Sequence, residues 1–218
     1  MKRKLKIEIG LAVLSLLIAL FGSFLAPYDP LKVNYDFSLQ PPSFLHIFGT
    51  DKLGRDVFSR ILCGAKTSFG LTFLMLFLIV FIGMIVGLIA GLSNDKVESF
   101  FNNIINGLLA FPDTIFEIAV VGIVGAGLFN TVFALALIWW TKYARLTLAL
   151  VKQEKKKNYL VISKMSGVPP LQRVIRYLLP NILSQILVTA FLDIGNMMIS
   201  LAGLSLSLIH ISEPTRRS

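Results

Sequence analysis

The stretch Lys142–Pro180, KYARLTLALVKQEKKKNYLVISKMSGVPPLQRVIRYLLP, sets a long, strongly basic, helix-compatible segment between two hydrophobic runs. Its cations are Lys142, Arg145, Lys152, Lys155, Lys156, Lys157, Lys164, Arg173 and Arg176, against the single acid Glu154. Lys and Arg collect on the cytoplasmic side of membrane proteins, so the segment is expected in the cytoplasm, where a positioned loop implies a partner. Within it, Gly167 is expected to break a helical run and Pro180 to start the next span.

Working outward, the composition matches a membrane protein. Of 218 residues, 55% are hydrophobic, 15% are charged and 17 are Phe, and the mean hydropathy is +0.76. These values do not describe an ordinary water-soluble globule. The net charge of +9 gathers at the N-terminus and in the segment just quoted, both flanking apolar runs. Membrane topology accounts for it, and nucleic acid is excluded as a partner. Cys63 is the single cysteine, so no internal disulfide forms.

Met1-Lys2-Arg3-Lys4-Leu5-Lys6 precedes an apolar run, Ile7 to Leu25, of about bilayer length and longer than a signal-peptide core. It reads as a retained first span with a cytoplasmic N-terminus. Further spans are expected over Phe69–Leu92, Phe100–Gly125, Asn130–Val151 and Leu179–Leu204. Four of these five separate the basic N-terminus from the basic loop, and an even number puts both on one side. The connector Ser93–Ser99 is then cytoplasmic, and Gly125-Ala126-Gly127 external. The division is 1–25 for the basic end and first span, 26–68 for an external segment, 69–205 for the transmembrane core with a cytoplasmic loop at about 152–176, and 206–218 for a tail. In the external segment, Val57, Phe58, Ile61, Leu62 and Ala65 share one helical face, and Asp56 precedes Arg60 by one turn, where the charges can pair. An amphipathic helix at the membrane interface is expected there, ahead of the second span.

Several strings carry a resemblance. Ser163-Lys164-Met165-Ser166-Gly167 followed by Ile175-Arg176-Tyr177-Leu178-Leu179-Pro180-Asn181 resembles the coupling loop of ABC importer permeases. The run Gly49-Thr50-Asp51-Lys52-Leu53-Gly54-Arg55-Asp56, with Ser59-Arg60 and Gly64-Ala65, is similar to the C-type permease subunits of peptide and nickel ABC importers. Leu109-Ala110-Phe111-Pro112, Ala134-Leu135-Ala136-Leu137, Tyr143-Ala144-Arg145-Leu146 and Leu179-Pro180-Asn181 follow in that family's order. Leu192-Asp193-Ile194-Gly195-Asn196-Met197-Met198 looks like the nickel-type subunits.

The resemblance implies an all-α polytopic membrane bundle of the type I ABC importer permease fold, with five of an expected six spans present. It also implies a multi-pass protein of the plasma or inner membrane that moves nickel, or a nickel or metal chelate, inward by alternating access. Di- or oligopeptides are the alternative cargo. The implied partners are a second, B-type permease, cytoplasmic ATP-binding subunits and an external solute-binding protein, besides the lipid bilayer itself. The implied coupling residues are Ile162, Ser163, Met165, Gly167, Val168, Leu171 and Pro180. One departure stands out: Val161-Ile162-Ser163 replaces the family's Glu-Ala-Ala. Beyond the five spans, Leu206-Ser207-Leu208-Ile209-His210-Ile211-Ser212-Glu213-Pro214-Thr215-Arg216 reads as a translated transposon-based sequencing adapter. The biological sequence is therefore expected to stop at about Ser205.

Chemistry within the chain is sparse. No Gly-x-x-x-x-Gly-Lys-Ser/Thr string occurs, so the energy of ATP must come from a partner. There is no His-Glu-x-x-His, no Gly-x-Ser-x-Gly and no ligand-spaced His or Cys; no catalytic, metal or cofactor site is expected. His46 reads as a loop residue. A secondary transporter driven by an ion gradient is the remaining class, and the inverted repeats common there are not seen. A carboxylate in hydrocarbon is costly and faces protein or water, which singles out Glu117 and Asp193, with Asn196 and Met197 nearby, as a translocation path. The competing reading has Asp193 hydrogen-bonding a neighbouring helix or Asn196, with the methionines as packing.

Overall fold

The computed structural model describes residues 10, 14, 17, 18, 20–125 and 127–212, with the backbone alone from 205 onward. The basic N-terminal end and much of the expected span Ile7–Leu25 lie outside the described residues, as do residues 213–218 of the tail. Residues 20–25 are helical. The chain forms two compact units, Met1–Leu71 and Thr72–Ser218.

In the first unit, Tyr35–Phe37 forms a 3-10 turn capped by Asn34, whose side-chain oxygen accepts from the Asp36 N–H. Asp51 organises the following loop. Its carboxylate accepts from the backbone N–H of Leu53 at 2.8 Å and of Arg55 at 3.1 Å, and from Arg55 Nε at 2.9 Å. Burial alone would raise its pKa; the Arg55 side-chain bond and the backbone donors outweigh that and hold it at about 2. Asp56 caps the next helix, with Oδ2 accepting from Ser59 N–H at 2.8 Å and Oδ1 lying 2.9 Å from His46 Nδ1. Arg60 pairs with Asp51 rather than with Asp56, because Asp56 is already taken by the cap and by His46. His46 is a loop residue, as expected, and is buried there in a polar network.

The expected interfacial helix is the first part of one continuous helix, α1 (Val57–Leu92), which runs on into the second expected span. Its 36 residues rise roughly 54 Å, more than a bilayer core requires. Lys66-Thr67-Ser68, between Ala65 and Phe69, is polar but contains neither Gly nor Pro, so the helix continues through it.

The remaining elements are α2 (Asp95–Leu109), α3 (Asp113–Val124), α4 (Leu128–Lys155), α5 (Asn158–Met165), α6 (Pro170–Arg173), a π-helical turn (Val174–Leu178) and α7 (Leu179–Ser212). The connector expected over Ser93–Ser99 is shorter, since Asn94 caps α2 by accepting from Val97 N–H. Three helical runs are long and apolar enough to cross a membrane, Val57–Leu92, Leu128–Lys155 and Pro170–Leu204. The expected single span Phe100–Gly125 is instead a pair, α2 and α3, bent by 85°. Pro112 explains the break: it disfavours helical geometry at Phe111 and itself serves as the extended cap of α3. Among the described residues the count is therefore three spans, or four if the bent pair crosses as one.

At the centre of the second unit, α4 packs against α2, α3 and α7. It also meets α1 closely. A Cβ placed on Gly83 would lie 2.6 Å from the Trp140 carbonyl oxygen, one on Gly87 2.6 Å from the Ala144 oxygen, and one on Gly91 2.7 Å from Val151 Cγ1. Glycine at every fourth position lets the α1 backbone sit directly against α4, on its backbone at Gly83 and on the Thr147 and Val151 side chains at Gly87 and Gly91. Away from this seam, Phe73, Phe77, Phe81, Ile85 and Ile89 form an exposed row on α1, the face a hydrocarbon solvent accepts.

Candidate functional site: an exposed glycine-capped element and two sealed carboxylates

Helix α5 ends in a defined C-cap. Gly167 has φ +75°, its N–H donates to the Lys164 carbonyl at 3.2 Å, and Val168 N–H donates to the Ser163 carbonyl at 3.1 Å. Together these bonds make a Schellman motif with glycine at the left-handed position. Pro169 and Pro170 follow and force the exit. The turn leaves apolar side chains in the open: Ile162 is 60% exposed, Met165 83% and Leu171 72%. Val168 is half-buried, and Ser163 is buried with its hydroxyl donating to the Leu160 carbonyl. A groove of about 700 Å³ runs beside them, floored by Leu92, Leu160, Val161 and Leu178 and edged by Lys164 and Arg173. Six of the seven residues expected at this element lie on it; the seventh, Pro180, is at the second position of α7 and does not begin the span.

The chain enters α7 through the π turn, where Leu179 N–H donates to the Val174 carbonyl. Pro180 has no N–H to give the preceding turn, and such a gap is what a local π segment accommodates. Asn181 Nδ2 meets the Tyr177 carbonyl at 2.6 Å instead.

The other end of α5 is tied down by Glu154, which is 5% exposed at the end of α4. Lys157 Nζ donates to it at 2.6 Å, and so does the Tyr159 hydroxyl. That hydroxyl accepts in turn from Asn181 Nδ2 at 3.1 Å. Burial, then the Glu154 carboxylate, push Tyr159 up to about 12, so it stays a donor. Lys155 Nζ reaches the Gly91 carbonyl at 3.0 Å. The root of the element is therefore bonded to α1, α4 and α7, while its tip is free of such ties among the described residues.

Both carboxylates singled out within the apolar runs are sealed by protein. Glu117, on α3, is 2% exposed and accepts from Trp139 Nε1 at 3.0 Å. Asp193, on α7, is 4% exposed and is held by Lys142 Nζ at 2.7 and 2.8 Å and by the Tyr143 hydroxyl at 2.8 Å. Its partners come from α4 and not from Asn196, which is exposed. Met197 is fully buried in packing. Sequence reasoning assigned Lys142 to topology alone and missed Tyr143 and Trp139, since nothing along the chain shows which face of α4 meets α7. The glycine seam was legible in Gly83-x-x-x-Gly87-x-x-x-Gly91 and went unread.

A helical membrane bundle with an exposed, glycine-capped element between two spans, and no nucleotide-binding string of its own, has the layout of a transport permease. Residues 83–209 match the family described as "Binding-protein-dependent transport system inner membrane component". The chain is 32% identical over 211 residues to the nickel transport system permease protein NikC of Escherichia coli K12, covering 96% of this chain and 76% of that one. It is 35% identical over 214 residues to the di/tripeptide transport system permease protein DppC of Pseudomonas aeruginosa, covering 94% and 71%. With the dipeptide permease DppC of Haemophilus influenzae it shares 32% over 205 residues, covering 91% and 70%. The chain belongs to this family, as a non-catalytic permease subunit of the peptide and nickel ABC importer type.

Proposed function

We propose that this chain is one of a pair of permease subunits, the other B-type, which carry cargo inward by alternating access under the drive of separate ATP-binding subunits, with an external solute-binding protein delivering that cargo. The N-terminus and the Lys152–Arg176 loop lie in the cytoplasm of a plasma or inner membrane, as the clustering of Lys and Arg indicates. The observation that carries the reading is the coupling element: a short helix ended by Gly167 at φ +75°, with Ile162, Met165 and Leu171 exposed to water. A soluble partner's groove is what such an apolar tip fits. Ser163 and Val168 shape the tip from beneath, and Pro180 fixes the helix that receives its motion. The favoured cargo is nickel or a metal chelate, on the Leu192–Met198 segment; the 35% identity to a di/tripeptide permease supports a peptide as second reading.

Val161-Ile162-Ser163 leaves the partner contact without the family's Glu, so apolar burial carries more of it. Gly167→Val tests the reading in the assembled transporter. Transport is expected to stop while the subunit stays in the membrane; ATP-driven uptake at the wild-type rate would sink the assignment.

A further inference from the structure

A cavity of about 500 Å³ opens beside α4, walled by Leu109, Ile138, Trp139 and Leu146. Its charged groups are Lys142, Arg145 and Asp113. Lys142 and Arg145 are three positions apart and so share a face of α4. Both sit within a membrane-crossing helix, where charged side chains turn to protein or to a water-filled path rather than to lipid.

The division of charge at this site is uneven. Glu117 and Asp193 are buried and fully engaged, so neither offers a carboxylate to a passing cation. Lys142, by contrast, keeps 47% of its side chain exposed while binding Asp193. Two of its three N–H donors go to Asp193, leaving one directed elsewhere. Arg145 is exposed and, among the described residues, carries a single hydrogen bond, to Asn106 Oδ1 at 2.5 Å. A guanidinium has five donors in a fork matched to a carboxylate. The groups left available on α4 are thus cationic, and they stand over apolar walls.

Resting on the importer reading above, we propose that this cavity receives a carboxylate group of the cargo, bound by Arg145 with Lys142 beside it. Asp113 supplies the complementary charge for the cationic part, the ammonium of a short peptide or the metal of a carboxylate chelate. A bare hydrated divalent cation is not the cargo this site takes. Asp193 is a positioning residue: it orients Lys142 and does not touch cargo.

The complete transporter, reconstituted with its partner subunits in vesicles, is the system in which to test this. The probes are radiolabelled dialanine, nickel citrate and the aquated nickel ion. Arg145→Gln should raise the half-saturating concentration of a transported carboxylate probe about tenfold, the loss of one charge-assisted contact, and Arg145→Lys should recover part of it. Lys142→Gln strands the buried Asp193, so the double variant Lys142→Gln/Asp193→Asn, which keeps the pair neutral, is measured beside it and should show a similar rise. Uptake of dialanine or of nickel citrate tells the two carboxylate sources apart. Unchanged half-saturation in Arg145→Gln and in the double variant overturns the inference, and so does wild-type uptake of aquated nickel that equals that of either carboxylate probe. An assembled, ATP-hydrolysing complex that carries neither carboxylate probe overturns it alone; a chain that recruits no ATPase and carries nothing refutes the importer reading itself.

Discussion

Glycine is needed at the α1–α4 seam and at the tip of the proposed coupling element for opposite reasons. At the seam, Gly83, Gly87 and Gly91 sit in ordinary helix, and what forbids a side chain is the backbone or side chain of α4 less than 3 Å from where a Cβ would stand. At Gly167 there is open space around the missing Cβ, and what forbids one is φ +75°. One site is a constraint of volume, the other of torsion. A rigid body and a protruding lever have thus been made with the same residue, and substitutions of graded size and graded torsional tolerance distinguish them.

Gly83→Leu should have the largest effect. Its side chain meets the Trp140 carbonyl and the Ala144 nitrogen, backbone atoms that cannot swing aside, so overpacking of about 3 kcal/mol or more should cost the folded protein. Membrane-inserted, protease-resistant protein measured after detergent extraction should fall to background, and even Gly83→Ala should lower it. Gly167 should behave differently. Ala or Val there costs about 1–2 kcal/mol in the left-handed region, whereas Asn adopts that region readily. Amounts of protein should hold in all three variants, while uptake falls in the order Asn, Ala, Val. If Gly167→Asn were as inactive as Gly167→Val, bulk rather than torsion would govern the tip.

Smaller still is the effect expected for Tyr159→Phe, which removes the hydroxyl joining Glu154 to Asn181. A loss of about 1 kcal/mol should loosen the root of α5, read as faster amide exchange at residues 158–166 with little change in α4. The mildest probe is acid. Its donors hold the Asp51 carboxyl at about 2, below the 3.8 of a free carboxyl, and a carboxylate with a lowered pKa stabilises above its unfolded value and stops doing so as pH falls through the folded one. Amide protection at residues 49–60 should therefore hold at about pH 5 and decline as pH falls from about 4 to 2, with Asp51→Asn removing part of that dependence, since the Ser59 and His46 bonds to Asp56 outweigh its burial and also hold that carboxyl below its ordinary value.

How much of this was readable along the chain follows the range of the interaction involved. Gly167 and the apolar runs Phe69–Leu92, Asn130–Val151 and Leu179–Leu204 are local signals, and each has its structural counterpart. The 85° bend after Leu109 was signalled by Pro112, yet hydropathy ran on through it and invited a single span. The Asp193–Lys142–Tyr143 cluster joins positions some fifty residues apart, and no periodicity within α7 reveals which helix it faces. Lys142 was hidden by its neighbours, since a cation among many cations looks like topology. The expected Asp56–Arg60 pair gave way because the loop around Asp51 claims Arg60 and His46 takes Asp56, contacts that no local spacing reveals.

The π turn Val174–Leu178 works like a vernier between two scales. A π turn holds one residue more than the α-helical turn it replaces, so side chains on its coupling side are indexed one step out of phase with those on the span. One residue of α-helix is a rotation of roughly 100° and a rise of about 1.5 Å. Removing a single residue from this turn would restore an unbroken α ladder and bring both faces into one sequence register, with Leu171 and its neighbours still facing as they do now.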